Sequence, residues 1–359
     1  MVPYDQALWR AFQRTELRDA GALPLAEIPA FAAGILAEAD SLLIVCNKKN
    51  EAAGILRAME TLDCQCFHLS AAMCMAHRRA VLSEMEAALE RLRREPGAGH
   101  KVVCVSTQVI EAGVDISFAR VIRLMAGMDS VVQSAGRCNR NGENAEPVPV
   151  FALDCMDEEL KYLPDIQWAK NAALGLLTEF RRTPEEFDGD LTSDAAIRFY
   201  YQWLYHKEIR NVQDGPVLAG ERKTSLFSLL SANDDFVDVK AYPDCQNYLL
   251  AQAFRTAGKA FAVFDGDTTD VLVPYGDGKE LILALGELRL PYDLLQVQAL
   301  LEKAKPYTVS VYPWQKRKLE ELHALPPLCG GSILALREGY YDPVTGLTEQ
   351  QGDIPFQEV

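Results

Sequence analysis

A chain of 359 residues is too long for one small stapled module and suits two domains or slightly more. Its 36 Lys and Arg against 51 Asp and Glu give a formal net charge of −15, which excludes a generally basic nucleic-acid coat or a polybasic membrane-surface protein, so any nucleic-acid site has to be local. Apolar residues at 49% and charged residues at 24% are ordinary globular values, and no apolar run approaches the roughly 18 residues of a membrane span.

Residues 1–20 read as a lead-in segment, with neither a basic region nor an apolar signal core behind Met1. A parallel α/β layer is expected over 21–160, because short β-branched runs alternate there with longer helical patterns. Ser41 to Cys46 reads as a buried strand, and Asn47 as the cap of a helix carrying Ile55, Leu56, Met59 and Leu62 on one face. Cys66 to Leu69 is a second strand, His77 to Arg94 an amphipathic helix stopped by Pro96-Gly97, and Lys101 to Ser106 a third strand. Val121 to Leu124 and Val148 to Leu153 supply two more strands, with a short helix from about Ser130 between them. Residues 161–230 are helical and aromatic and read as a linker whose aromatic residues are core. Residues 231–359 read as a smaller α+β domain, with hairpins around 260–275 and 332–341, a strand at Tyr307 to Tyr312 and a helix at Gln315 to Leu322. The nine cysteines are scattered, several in apolar runs, which fits reduced thiols in a cytoplasm. Cys64, Cys66, Cys74 and His77 match no common zinc spacing, so no metal site is expected.

Two segments carry chemistry. Ser106 to Ile116 follows the third strand, where open parallel sheets bind ligands beyond the strands' carboxyl ends. Thr107 offers a hydroxyl to a phosphate, Gly113 permits close backbone approach, and Asp115 is an acceptor suited to a ribose hydroxyl. An ordinary strand-to-loop transition accounts for the same residues equally well. In the second segment, Asp129 to Glu143, the spacing of Gln133, Arg137 and Arg140 places all three on one helical face. Two arginines aimed the same way suit a polyphosphate, and the bland alternative is a solvated charged face. Gly136 costs about 1 kcal/mol inside a helix and suggests a close approach there.

Together, TQVIEAGVDI and QSAGRCNRNGE resemble motifs V and VI of superfamily 2 helicases, and their wording resembles the CRISPR-associated helicase-nuclease of type I interference systems. Ser41 to Asn47 resembles motif IV. His68-Leu69-Ser70 with Met75 to Arg78, Ala253 to Gly258, and Gly339 to Asp342 extend the likeness along the chain. Ser134 and Ser117 depart from the family's usual arginine and acidic residue.

The resemblance implies a RecA-like fold, with Arg140 as arginine finger and Arg137 also at the γ-phosphate of ATP. Gln133, Gly113 and Asp115 would meet nucleotide groups, while Thr107, Asn47 and Ser70 hold single-stranded DNA. No G-x-x-x-x-G-K-[ST] loop or magnesium-binding acidic tetrad occurs in these residues. The chain therefore reads as the downstream half of a motor, inactive alone, needing ATP and Mg2+ bound through an upstream helicase-nuclease half in cis or trans. Its further expected partners are single-stranded DNA and an RNA-guided surveillance complex, with no membrane. Alternatives are a non-hydrolysing DNA-binding or regulatory subunit and an RNA helicase fragment.

Overall fold

The computed structural model describes residues 12–95, 99–208, 217–219, 222–233, 252–260, 268–289 and 292–349. They fall into two compact units, Met1–Tyr200 with Thr269–Val359, and Tyr201–Thr268.

The first unit holds β1 (Thr15–Leu23), α1 (Ile28–Ala37), β2 (Ser41–Val45), α2 (Lys49–Met59), β3 (Gln65–Leu69), α3 (Met75–Arg94), β4 (Val102–Ser106), β5 (Arg120–Leu124), α4 (Met128–Ala135), β6 (Val148–Cys155), α5 (Pro164–Arg182) and, up to Tyr200, α6 (Asp194–Trp203). The strands form a parallel sheet of six in the order β1-β6-β5-β2-β4-β3. Successive strand residues point to opposite faces, so each strand feeds two cores. Leu43, Val45, Cys104 and Val121 pack with Met85 and Leu89 of α3, while Leu42, Ile44, Val105 and Ile122 pack with Ile28 and Leu36 of α1 and Ile55 and Met59 of α2. Each such side chain contributes about 1.5–3 kcal/mol on burial, so the two cores fix the register of the sheet.

The sheet has one strand more than the sequence pattern indicates. Thr15–Leu23, read as mostly lead-in, pairs in parallel with β6 from Thr15↔Val148 to Leu23↔Cys155. Its register slips between Asp19 and Ala22, where Gly21 takes φ +78. Asp19 is tied to Arg181 of α5 at 2.6 Å.

The second unit contains the ribbon β7 (Val217–Ala219) and β8 (Arg222–Thr224), then α7 (Leu226–Leu230) and α8 (Phe254–Ala260). Ser225 caps α7 by accepting from Ser228 N at 2.9 Å, and Leu229 packs on Ala257. Tyr201 and Tyr205, read as core, are exposed and stack on each other at 5.8 Å. The linker and accessory domain read from sequence divide at 230, whereas the compact unit runs 201–268. Much of the hairpin expected around 260–275 lies outside the described residues.

The remaining elements belong to the first unit: β9 (Thr269–Leu272), α9 (Gly278–Glu287), α10 (Leu294–Ala304), β10 (Thr308–Val311), α11 (Pro313–Glu321), β11 (Pro327–Leu328), β12 (Ile333–Ala335), β13 (Tyr341–Asp342) and β14 (Gly346–Leu347). A sheet ordered β10-β9-β12-β11 carries α9 and α10 on one side, with Leu272 packed against Leu285 and Val297. Residues 332–341 form no hairpin. Instead β12 pairs with β11 and β9, and β13 pairs with β14.

The β13–β14 hairpin docks on the turn between β3 and α3. Leu347 N donates to Ala72 O at 2.8 Å, and Cys74 N donates to the Tyr341 hydroxyl at 3.1 Å. His77 stacks on Tyr275 at 4.3 Å, with its Nδ1 3.0 Å from the Tyr341 hydroxyl. Gly346 is at φ +85, and a Cβ there would lie 2.4 Å from Ala72 O, so only glycine fits.

Burial pushes His68 down to about 4 and holds His77 below its ordinary value. Both are therefore neutral in the fold at pH 6.5, while the unfolded chain gains their protons as the pH drops through 6.5. Stability contributed by these neutral rings is complete above pH 6.5 and declines toward pH 4. Thermal melts should show this acid loss, and His68→Gln should flatten part of it; melting curves that shift in parallel at every pH would contradict the assignment.

Candidate functional site

Because the sheet is parallel, β2, β4 and β3 end side by side at one edge. Asn47, Thr107 and Ser70 follow those three ends, so the structure brings the three expected strand contacts together. All three are buried, at 8%, 7% and 0% exposure. Ser70 Oγ accepts from Ala72 N at 3.3 Å, and Thr107 N donates to Leu69 O at 3.0 Å.

Asn47 does not cap the following helix. The cap residue of α2 is Lys48, without a side-chain cap bond. The Asn47 amide is instead used at both ends: Nδ2 donates to Met125 O at 3.0 Å and Glu158 Oε1 at 2.9 Å, and Oδ1 accepts from Arg123 Nη1 at 2.7 Å. The Asn47 side chain is thus a bracket inside the domain, with both ends of its amide used by Met125, Glu158 and Arg123.

Arg123 is the centre of this bracket and is fully buried. Its Nε lies 2.9 Å from Glu111 Oε1, and its Nη1 donates to Leu124 O at 2.7 Å. Glu111 also accepts from Ser130 Oγ at 2.7 Å and Ser134 Oγ at 3.1 Å. Burial lowers the Arg123 guanidinium from its ordinary value, and the Glu111 carboxylate opposes that shift. Neither residue was singled out from the sequence, although an arginine inside the apolar strand Arg120–Leu124 is a visible anomaly. The bracket continues through Glu158 to Lys170 on α5 at 3.0 Å.

The expectation of one helical face for Gln133, Arg137 and Arg140 is not met. Helix α4 stops at Ala135, Gly136 is its C-terminal cap, and Asn139 takes φ +47, which turns the chain out of helical geometry. Gln133 is exposed on the helix. Arg137 is 7% exposed, with Nε donating to Ile110 O at 2.9 Å and Nη2 to Glu111 O at 2.7 Å. It fastens the 107–116 loop and presents no free fork to a phosphate. Burial holds its guanidinium below the ordinary value, with neighbouring Arg140 adding to that shift.

Arg140 is different. Its side chain is 38% exposed and paired at 2.5 Å with Asp115, whose side chain is 82% exposed. The Arg140 backbone N donates to Ser117 Oγ at 2.9 Å, so the serine at the position where the family's acidic residue was expected still holds the turn. Gly113, at φ +75 with nothing within 4 Å of a Cβ, is required by its backbone conformation.

Asp115 and Arg140 also lie away from the strands' carboxyl edge. The loop from Thr107 to Ser117 crosses the sheet to the amino end of β5, where Phe118 N bonds Arg137 O at 2.9 Å. The strands between are five residues long, a span of about 17 Å from one edge of the sheet to the other. Between them, the loop and α4 run alongside each other, joined by the bonds of Glu111 and Arg137. Among the described residues no group of three or more His, Cys, Asp or Glu could hold a metal, and no helix is long and apolar enough to cross a membrane. Cys64 and Cys66 lie with sulfurs 3.5 Å apart.

Residues 38–143 match the family model described as the C-terminal part of the CRISPR-associated nuclease/helicase Cas3. A CRISPR-associated nuclease/helicase Cas3 from Haloferax volcanii is 55% identical over 60 residues, 16% of this chain and 6% of that protein. The T. fusca Cas3–ATP crystal structure superimposes with a TM-score of 0.54 at 15% identity, covering 93% of this chain and 42% of that one. A CRISPR RNA-guided surveillance complex in a pre-nicking state contains a chain that matches at 0.52 and 15% identity, covering 94% of this chain and 45% of that one. At such identities the solved structures establish the fold, and the chain spans less than half the length of these relatives.

Proposed function

Because residues 38–143 match the Cas3-like C-terminal family model, we propose that this chain is the downstream half of an ATP-dependent motor that moves on single-stranded DNA in CRISPR interference. The observation that carries this reading is the contrast between its two motif VI arginines: Arg137 is spent on loop carbonyls, whereas Arg140 is held half-exposed by one exposed carboxylate. A surface pair of that kind is weak, roughly 0–1 kcal/mol, so a triphosphate can displace Asp115 at little cost. Arg140 then grips developing charge on the phosphate from this side.

Bound ATP would supply the free energy for movement. The residues present suit its outer face: Arg140 would meet the phosphates, the Gly113 turn would let the backbone approach, and Asp115, once released, would accept from a sugar hydroxyl. Gln133, exposed on α4, faces solvent where a nucleotide group can reach it. No described residue cluster offers magnesium ligands, so this reading assigns metal and phosphate loop to the upstream half. The Glu111–Arg137 bonds would tie the Arg140 turn to the carboxyl edge, where Thr107 and the Ser70 turn take the DNA backbone.

The purified chain should therefore show no DNA-stimulated ATP hydrolysis, and adding the upstream half should restore it. Hydrolysis by the chain alone would refute the half-motor assignment. Reconstituted binding to the surveillance complex without any hydrolysis would support the non-hydrolysing subunit instead.

A further inference from the structure

The last described residues bring an acidic segment onto the edge that carries Asn47, Ser70 and Thr107. The β13–β14 hairpin is pinned to the Ser70 turn by the Leu347–Ala72 bond and the close approach at Gly346. Two residues beyond β14, Glu349 forms an ion pair with Lys318 of α11.

Helix α11 turns Gln315 and Leu319 inward. Trp314, Arg317 and Lys318, spaced three and four apart, share its outer face, with Trp314 57% exposed. An exposed indole beside cations, in a chain whose net charge is −15, is chemistry suited to a base and its neighbouring phosphate. No carboxylate but Glu349 is paired with Lys318 among the described ion pairs.

We propose that Trp314 and Lys318 form a single-stranded DNA contact on the C-terminal region, with one base stacked on Trp314 and the adjoining phosphate on Lys318. Glu349 occupies the phosphate position in the nucleic-acid-free chain. A carboxylate and a phosphate oxygen are equivalent acceptors for an ammonium group, and a half-exposed pair of this sort exchanges readily. The contact extends the strand-binding reading above and rests on it.

The test is fluorescence anisotropy of a labelled oligothymidine with the full chain and with exposed-site variants whose folding is checked by circular dichroism. Glu349→Gln should tighten binding about threefold by removing the competing charge. Lys318→Gln should weaken it, lower the slope of log affinity against log salt by about 0.7, and abolish the gain from Glu349→Gln. Trp314→Ala should cost about tenfold on oligothymidine and almost nothing on an abasic strand of the same length. Binding that is intact but indifferent to these substitutions overturns this contact while leaving the motor reading standing. A gain from Glu349→Gln that persists in the Lys318→Gln background also overturns it. Absence of binding by every variant and by the unmodified chain overturns the strand-binding reading and this contact with it.

Discussion

In the motor reconstituted with its upstream half, Arg140→Ala should lower kcat for ATP by about 10³-fold or more while single-stranded DNA affinity changes little. The size follows from what an arginine finger supplies, charge stabilisation that is strongest in the transition state. The geometry adds a discrimination: Arg140 contacts Asp115, Gly136 O and solvent, so its removal leaves no buried polar group without a partner. Arg137→Ala should behave otherwise. It strips both donors from Ile110 O and Glu111 O, and the expected result is a lower melting temperature together with weakened ATPase and DNA binding. Arg140→Lys should not rescue, because a point charge lacks the planar fork. An ATPase within a few-fold of the unmodified motor after Arg140→Ala would remove the finger from Arg140.

The second large effect is on stability. Arg123→Met should cost about 3–5 kcal/mol, because it leaves the Glu111 carboxylate buried with only hydroxyl donors. The double variant Arg123→Met/Glu111→Gln should recover part of that loss, since a neutral amide keeps an acceptor for Ser130 and Ser134 without a buried charge. Urea denaturation of the chain measures both. Simple additivity of the two substitutions would show that the pair is not coupled and that Arg123 is held by its other partners.

The five central and edge strands from β2 to β6 were legible because their apolar runs and flanking turn residues state both position and length. Strand β1 was not, since TELRDAGAL alternates half-covered and exposed residues and keeps Glu16, Arg18 and Asp19 at the sheet's edge. Its identity is set by pairing with β6, which lies 125 residues and more downstream. Within the site, residue types pointed to Thr107, Asp115 and Arg140, and the structure gives each a definite place. Helical spacing misled at Arg137 because it assumes that the helix continues; the helix ends at Ala135, and the positive φ of Asn139 then redirects the chain before Arg140. Arg123 shows the converse case. Its strand was evident from the sequence, but its partner Glu111 sits in a loop, and only the folded chain brings the two together.

Strand β1 begins next to Arg140. Asn139 Nδ2 donates to Arg14 O at 3.0 Å, and the Arg14 guanidinium donates to Arg140 O. The start of β1 is consequently anchored beside Arg140, so a partner fused ahead of it would be held there on a leash. In the half-motor proposed above, such a leash would hold the upstream half at a local concentration on the order of millimolar, enough for it to close on Arg140 through a weak interface and reopen in every cycle. A separately encoded half has no leash and has to bring an interface of roughly 1,000 Å² or more to stay engaged between turnovers.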